Sequence, residues 1–219
     1  MSHAKAFTLV ELLCSLVILM LLAAIGLPGL SHAKSKVKAV SCLGNLRQWG
    51  IATQLYTADH DDFLPPDGMP NPSVSATNSG WYVQLPAEIG LPPYHSNPWH
   101  TNALASTTSS VWLCPSNSRR SNGLNLFHYC LNEGVNGTGT EAKLVRISTL
   151  QNPSALVWLF DSKNLPAVGT RNFTHTNLHS RGASFLFLDG HAARYSSSAY
   201  WDVSVNRPKR ASLPFDWDP

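Results

Sequence analysis

The chain has 219 residues, 43% hydrophobic and only 13% charged, a globular balance that excludes an intrinsically disordered protein. Its formal charge of +3 is small and scattered, so no nucleic-acid partner is expected. Setting aside roughly 55 residues for an N-terminal helix leaves about 160, enough for one ordinary domain with its own core.

Residues 7–30, FTLVELLCSLVILMLLAAIGLPGL, are apolar apart from Glu11. A helix needs about 20 such residues to cross a hydrocarbon core, and this run is long enough. An ionised carboxylate at that depth costs about 3 kcal/mol, so Glu11 demands a purpose. Pro28 and Gly29 kink or loosen the helix without ending it. Beyond them Ala39, Cys42, Leu43, Leu46, Trp49, Thr53 and Tyr56 recur at three- and four-residue steps. That is the stripe of an amphipathic helix, with Arg47 and Gln48 off it. A helix from Phe7 to about Thr57 would be on the order of 75 Å long. Asp59, Asp61, Asp62 and the pair Pro65 and Pro66 end it.

Residues 63–122 are rich in Pro, Ser, Asn and Gly, with Trp81, Tyr82, Tyr94, Trp99 and Trp112 scattered among them. The pattern predicts loops with short elements, one of them near Val111 to Cys114. So long a loop region invites a binding role, but its aromatics are expected to hold it onto a sheet. The last third is β-rich. Strands are predicted over Leu126 to Leu131 and Ala155 to Phe160, the latter ended by Asp161, with a short link over Leu144 to Leu150. Ser184 to Tyr195 reads as an antiparallel hairpin, with Asp189-Gly190 as a two-residue type I′ turn and Leu188 facing His191. Both hairpin faces are apolar near the turn, which predicts a central or covered position. The tail from Asn206 to Pro219 reads as irregular. The fold class is α+β: a long N-terminal helix on a C-terminal antiparallel sheet with long loops.

Of four cysteines, Cys14 lies in the apolar run and packs there as a small hydrophobe. No C-x-x-C spacing exists, which argues against zinc. Export would permit a disulfide among Cys42, Cys114 and Cys130, with one thiol left over.

The stretch KAFTLVELLCSLVILMLLAAIGLPGL resembles the N-terminus of type IV pilin-like proteins, including pseudopilins of type II secretion systems. The resemblance implies a leader, residues 1–6, removed by a membrane prepilin peptidase that also methylates the new N-terminus. Cleavage would fall between Ala6 and Phe7; the family nearly always has Gly where Ala6 stands. Glu11 becomes the fifth mature residue, Pro28 falls where the family often kinks, and the remaining segments are a membrane helix at 7–30, its amphipathic continuation at 31–58 and a periplasmic domain at 59–219. Glu11 could then pair with the Phe7 ammonium of a neighbouring subunit, easing its burial and setting the stagger between helices.

A second resemblance lies further on. His179, then nine residues, then Asp189-Gly190 is similar to a C-terminal H-x9-DG signature of a large group of prepilin-type proteins. The segments CLGNLRQWGIATQLYTADHDDFLP, VWLCPS and ALVWLFDS follow the same group's pattern. Two cysteines of that pattern fall at Cys42 and Cys114. The resemblance implies that they pair, for about 2–4 kcal/mol, leaving Cys130 free; three separately buried thiols are the alternative.

His179, Asp189 and His191 would meet at a metal or acid–base site if the loop before the hairpin folded over its turn, with His175 and Asp161 joining. Turn geometry and a His–Asp hydrogen bond explain them without a metal, and none is expected. Related pseudopilins use calcium to order a loop, but Asp59, Asp61 and Asp62 lack the Gly and Glu of an EF-hand, so no cofactor is expected. The chain has no phosphate-binding Gly loop, G-x-S-x-G or H-E-x-x-H, and no enzymatic activity is expected.

The partners implied are prepilin peptidase, other pilin or pseudopilin subunits and the bacterial inner membrane, crossed once with the C-terminal domain in the periplasm. The charges point the other way: Lys34, Lys36 and Lys38 follow the span and only Lys5 precedes it. One rival is an exported ligand-binding protein or enzyme cut after Ser31-His32-Ala33, using the aromatic loop at 66–110; Glu11 inside the apolar run argues against such a signal peptide. A weaker rival, a DNA-uptake minor pilin, rests on Arg119-Arg120 and Arg207-Pro208-Lys209-Arg210.

Overall fold

The computed structural model describes residues 8–69, 80–105, 110–136 and 143–219, apart from the side chains at 25–29. The chain divides into two compact units at Val37/Lys38. Helix α1, Leu9–Asp59, contributes to both. Its backbone stays helical through Pro28, so the proline does not end it.

In the first unit α1 begins at a capping box that the sequence carries as Thr8-Leu9-Val10-Glu11. The Thr8 N–H and hydroxyl donate to Glu11 Oε2 at 2.9 and 2.7 Å, and the Glu11 N–H donates to Thr8 Oγ1 at 3.2 Å. Two otherwise orphaned helix-start donors are thereby satisfied reciprocally. Around the helix that follows, Leu9, Val10, Leu12, Leu13 and Leu16 to Leu22 are all exposed, on every side.

In the second unit the helical stripe turns inward. Cys42, Leu46, Trp49, Thr53 and Tyr56 are buried, Ala39 and Leu43 half-buried, and Arg47 and Gln48 exposed. The helix stops because Asp61 and Asp62 take left-handed backbone, φ 50° and 68°, and the Asp62 N–H reaches back to the Thr57 carbonyl at 3.0 Å. Aspartate tolerates that conformation better than most residues. Asp62 Oδ2 accepts from the Ser148 N–H, and the Ser148 hydroxyl together with that N–H holds its carboxyl below the usual range.

Among the described residues the main sheet has five strands: β1 (Tyr129–Asn132), β2 (Val157–Asp161), β3 (Val168–Gly169), β4 (Gly182–Phe187) and β5 (Ala192–Ser196). They lie in the order β3-β1-β2-β4-β5, antiparallel except for the short β1–β3 pair. The class is α+β, as the sequence predicts. One face of the sheet packs Leu131, Trp158, Leu159 and Leu186 against the inner stripe of α1 and the segment containing helix α2, Trp81–Glu88. The other face packs Cys130, Phe160, Phe185 and Phe187 against Tyr200, Phe215 and Trp217. With both faces covered, strands that are apolar on both sides make sense.

Three sequence expectations need correction. The hairpin is not built on a two-residue turn. Leu186 pairs with Ala192, the Phe187 N–H bonds the His191 carbonyl, and Leu188-Asp189-Gly190 form a three-residue loop with Gly190 at φ 89°. A left-handed glycine closing such a loop is the G1-bulge arrangement, and it moves the pairing by one residue from the predicted register. The tail is irregular as expected except at Arg207–Pro208 (β7), which pairs with Trp201–Asp202 (β6) as a small ribbon, and its Phe215 and Trp217 are buried. The first predicted strand starts later, at Tyr129, because Leu126 and Phe127 are buried in irregular chain.

Candidate functional site

The N-terminal candidates come first. Ala6 and Phe7, the expected cleavage and methylation residues, lie outside the described residues. Glu11 lies in the first turn of α1 as the acceptor of the Thr8 cap. The T-x-x-E spacing of Thr8 and Glu11 is the sequence signal for that role. A helix apolar all round has no packing face of its own and is stable only inside lipid or a larger assembly. Among the described residues no helix is long and apolar enough to cross a membrane. The side chains at 25–29, Pro28 included, fall within the apolar run of the sequence and outside that description.

The C-terminal candidates form two separate contacts rather than one site. The first surrounds a disulfide. Cys42 on α1 and Cys114 are bonded, closing a separation of 72 residues, and both are buried. Cys130 is a free, buried thiol, and burial raises its pKa well above the ordinary value. Against the bond lies His179, whose Nε2 is 3.5 Å from Cys114 Sγ and 3.1 Å from Asp161 Oδ2. Asp161 ends β2, and its Oδ2 also accepts the Ser184 N–H from β4 at 2.7 Å. His179, Ser180 and Arg181 all have positive φ, so a left-handed corner delivers the imidazole into the interior. His128 is buried beside them; its Nδ1 accepts the Cys114 N–H and burial lowers its pKa.

The second contact is the hairpin loop. Asp189 and His191 form an exposed pair, Oδ1 to Nδ1 2.6 Å, so they do not join His179 at a metal. The loop instead rests on α1. The Gln54 side chain donates to the Leu188 carbonyl at 2.8 Å, and a Cβ added to Gly50 would lie 2.9 Å from the Gly190 carbonyl oxygen. The two ends of the His179-to-Gly190 spacing thus fasten separate points: one the disulfide, the other the helix at Gly50.

The aromatic loop is not a surface. Trp81, Tyr82, Tyr94, Trp99 and Trp112 are buried. Trp49 meets Trp81 edge-on at 5.5 Å and Trp112 at 4.5 Å, and Tyr94 stacks on Phe127 at 4.1 Å. Their polar edges are used internally: Trp81 Nε1–H donates to the Ala167 carbonyl and the Tyr94 hydroxyl to that of Leu126. The surface clefts flanked by Arg171 and Asp218, by Arg119 and Phe173, and by Thr176 and Asn206 draw no wall from these rings.

Comparison with known proteins bears on the first of these regions. The family model for the prokaryotic N-terminal methylation motif matches residues 1–27. No curated protein and no solved structure matches the chain. The motif supports the pilin and pseudopilin family and a type IV pilin-like precursor. It implies processing by a prepilin peptidase, association with pilin subunits and a membrane anchor.

Proposed function

We propose that the chain is a structural subunit, without turnover, of a type II secretion pseudopilus or a related type IV pilus-like filament. Prepilin peptidase removes residues 1–6, Phe7 is methylated, and the helix anchors the subunit once in the inner membrane with the C-terminal domain in the periplasm. The observation that carries this reading is the methylation motif on a helix whose apolar side chains face outward all round. Such side chains gain about 1.5–3 kcal/mol each when fully buried, and helices of neighbouring subunits would bury them.

Within that assembly Glu11 pairs with the Phe7 ammonium of a neighbour. Its Oε2 already serves the Thr8 cap, so the residue has two roles to separate. If only the cap mattered, Thr8→Ala and Glu11→Ala would be equivalent. The proposal expects Thr8→Ala to assemble, with a weaker helix start worth about 1 kcal/mol, and Glu11→Ala to fail. Crosslinked oligomers recovered from membranes provide the readout. Equal assembly of both variants would overturn the pairing.

A further inference from the structure

We infer that the chain binds an acidic saccharide, one whose sugar rings carry carboxylates, in the cleft between residues 176–181, residues 196–198 and the β6–β7 ribbon. The cleft has a volume of about 640 Å³, within the range that holds small ligands. Its walls are brought together by the fold. Gly182 at the start of β4 pairs with Ser196 at the end of β5, and the Ser197 N–H donates to the Arg181 carbonyl at 2.9 Å. The ribbon closes the third side, where Trp201 Nε1–H donates to Asn206 Oδ1 at 3.2 Å.

The chemistry of the lining selects the ligand. The hydroxyls of Thr176, Ser196, Ser197 and Ser198 and the amides of Asn177 and Asn206 can donate and accept alike. Sugar hydroxyls do the same, whereas a bare phosphate ion chiefly accepts. Trp201 and the exposed Val203 add an apolar wall for the C–H face of a ring. Among the described residues no carboxylate lines the cleft, and one guanidinium does, that of Arg181. Asp202, between Trp201 and Val203, turns instead to the Ser204 N–H and hydroxyl, at 3.0 and 2.6 Å.

Three further cations rest on lining residues. Arg194 Nη2 donates to the Ser180 carbonyl at 2.9 Å, Lys209 Nζ to that of Ser198 at 2.6 Å, and Lys163 Nζ lies 4.3 Å from the centre of the Trp201 ring. Among the described residues none of the four cations forms an ion pair with a carboxylate. The site therefore lacks an anion, and a guanidinium matches a carboxylate through two parallel hydrogen bonds.

The backbone carries a second sign. Ser180 and Arg181 have φ of 62° and 65°, directly after His179 at 49°. Successive left-handed residues other than glycine cost free energy and concentrate at ligand clamps and active sites. The turn at His179 carries an imidazole into the interior. The next two positions form the cleft wall, where glycine would fit the backbone better but would bring no guanidinium. The cleft lies wholly in the second unit, and the inference does not depend on filament assembly.

The test is calorimetric titration of the full chain in detergent with trigalacturonate, its methyl ester and inorganic phosphate. Trigalacturonate should bind at one equivalent with Kd below about 1 mM. The ester, which has lost its charges, should bind roughly 10-fold more weakly or worse, and phosphate at the same concentration should not displace the acid. Arg181→Gly should weaken binding roughly 10-fold or more while melting no lower than the parent, because glycine relieves the backbone that arginine strains. Ser197→Ala should weaken it about 5-fold. Arg119→Ala, beside a different cleft, should bind as the parent does. Absence of binding, equal affinity for the ester, displacement by phosphate, or an unchanged affinity in Arg181→Gly would overturn the inference. So would equal weakening by Arg119→Ala, which would mean attraction by net charge alone.

Discussion

The two stretches of α1 share one backbone conformation and have opposite surfaces. From Leu9 to Leu22 the large apolar side chains are exposed all round; Leu9 retains 79% of its accessible surface and Met20 67%. From Cys42 to Tyr56 the buried residues recur with the helical period and meet β-strand and loop partners inside the second unit. Trp158 Nε1–H bonds the Thr53 hydroxyl, and Asn45 Nδ2 reaches the carbonyls of Ser110 and Leu113. Helicity alone therefore does not tell what a segment is for. The period of its apolar residues does: a stripe finds its partner within the chain, and an unbroken apolar surface needs one outside.

The sharpest way to break this comparison is to truncate one large side chain in each stretch's environment. Trp81→Ala opens the aromatic cluster and should cost about 3–5 kcal/mol, whereas Leu19→Ala should change unfolding by less than about 0.5 kcal/mol. Denaturant unfolding of the full chain in detergent measures both. A comparable loss in Leu19→Ala would mean that the first stretch packs within the chain after all. Next in size, replacing Cys42 and Cys114 by serine should lower stability by about 2–4 kcal/mol, since the bond closes a long loop. Gly50→Ala follows, at about 1–3 kcal/mol, because the new methyl group would press on Gly190 and Leu186. The smallest effect is one of pH. Asp67 is buried, and desolvation outweighs the pull of the Gly68 and Asp67 backbone N–H groups and pushes its pKa up to about 6. A folded pKa above the unfolded one means the native state binds the proton more tightly, so stability falls as pH rises from about 4 to about 6. Asp67→Asn should flatten that slope in a pH series of melting temperatures, and an unchanged slope would remove Asp67 as its source.

What the sequence made legible follows the same line. The α1 stripe was readable because a period of 3.6 residues places Cys42, Leu46, Trp49, Thr53 and Tyr56 on one face wherever the helix sits. The hairpin was readable as a hairpin, but its register was not. Asp-Gly suits a two-residue turn and a bulged three-residue loop alike, and the choice here goes with the seating of Leu188 and Gly190 against Gly50 and Gln54. Phe215 and Trp217 were missed because isolated aromatics in irregular chain carry no period; only the uncovered face of the sheet explains their burial. The meeting of Asp161, His179 and the disulfide was equally hidden. It depends on β2 and β4 being neighbours and on a left-handed corner of non-glycine residues, which sequence patterns disfavour.

The central claim is that the apolar start of α1 belongs to a processed, assembling subunit. Mass spectrometry of the mature chain purified from membranes tests it most directly. The account predicts a chain beginning at N-methylated Phe7; a chain beginning at Lys34, as signal-peptide cleavage after Ala33 would leave it, would contradict it.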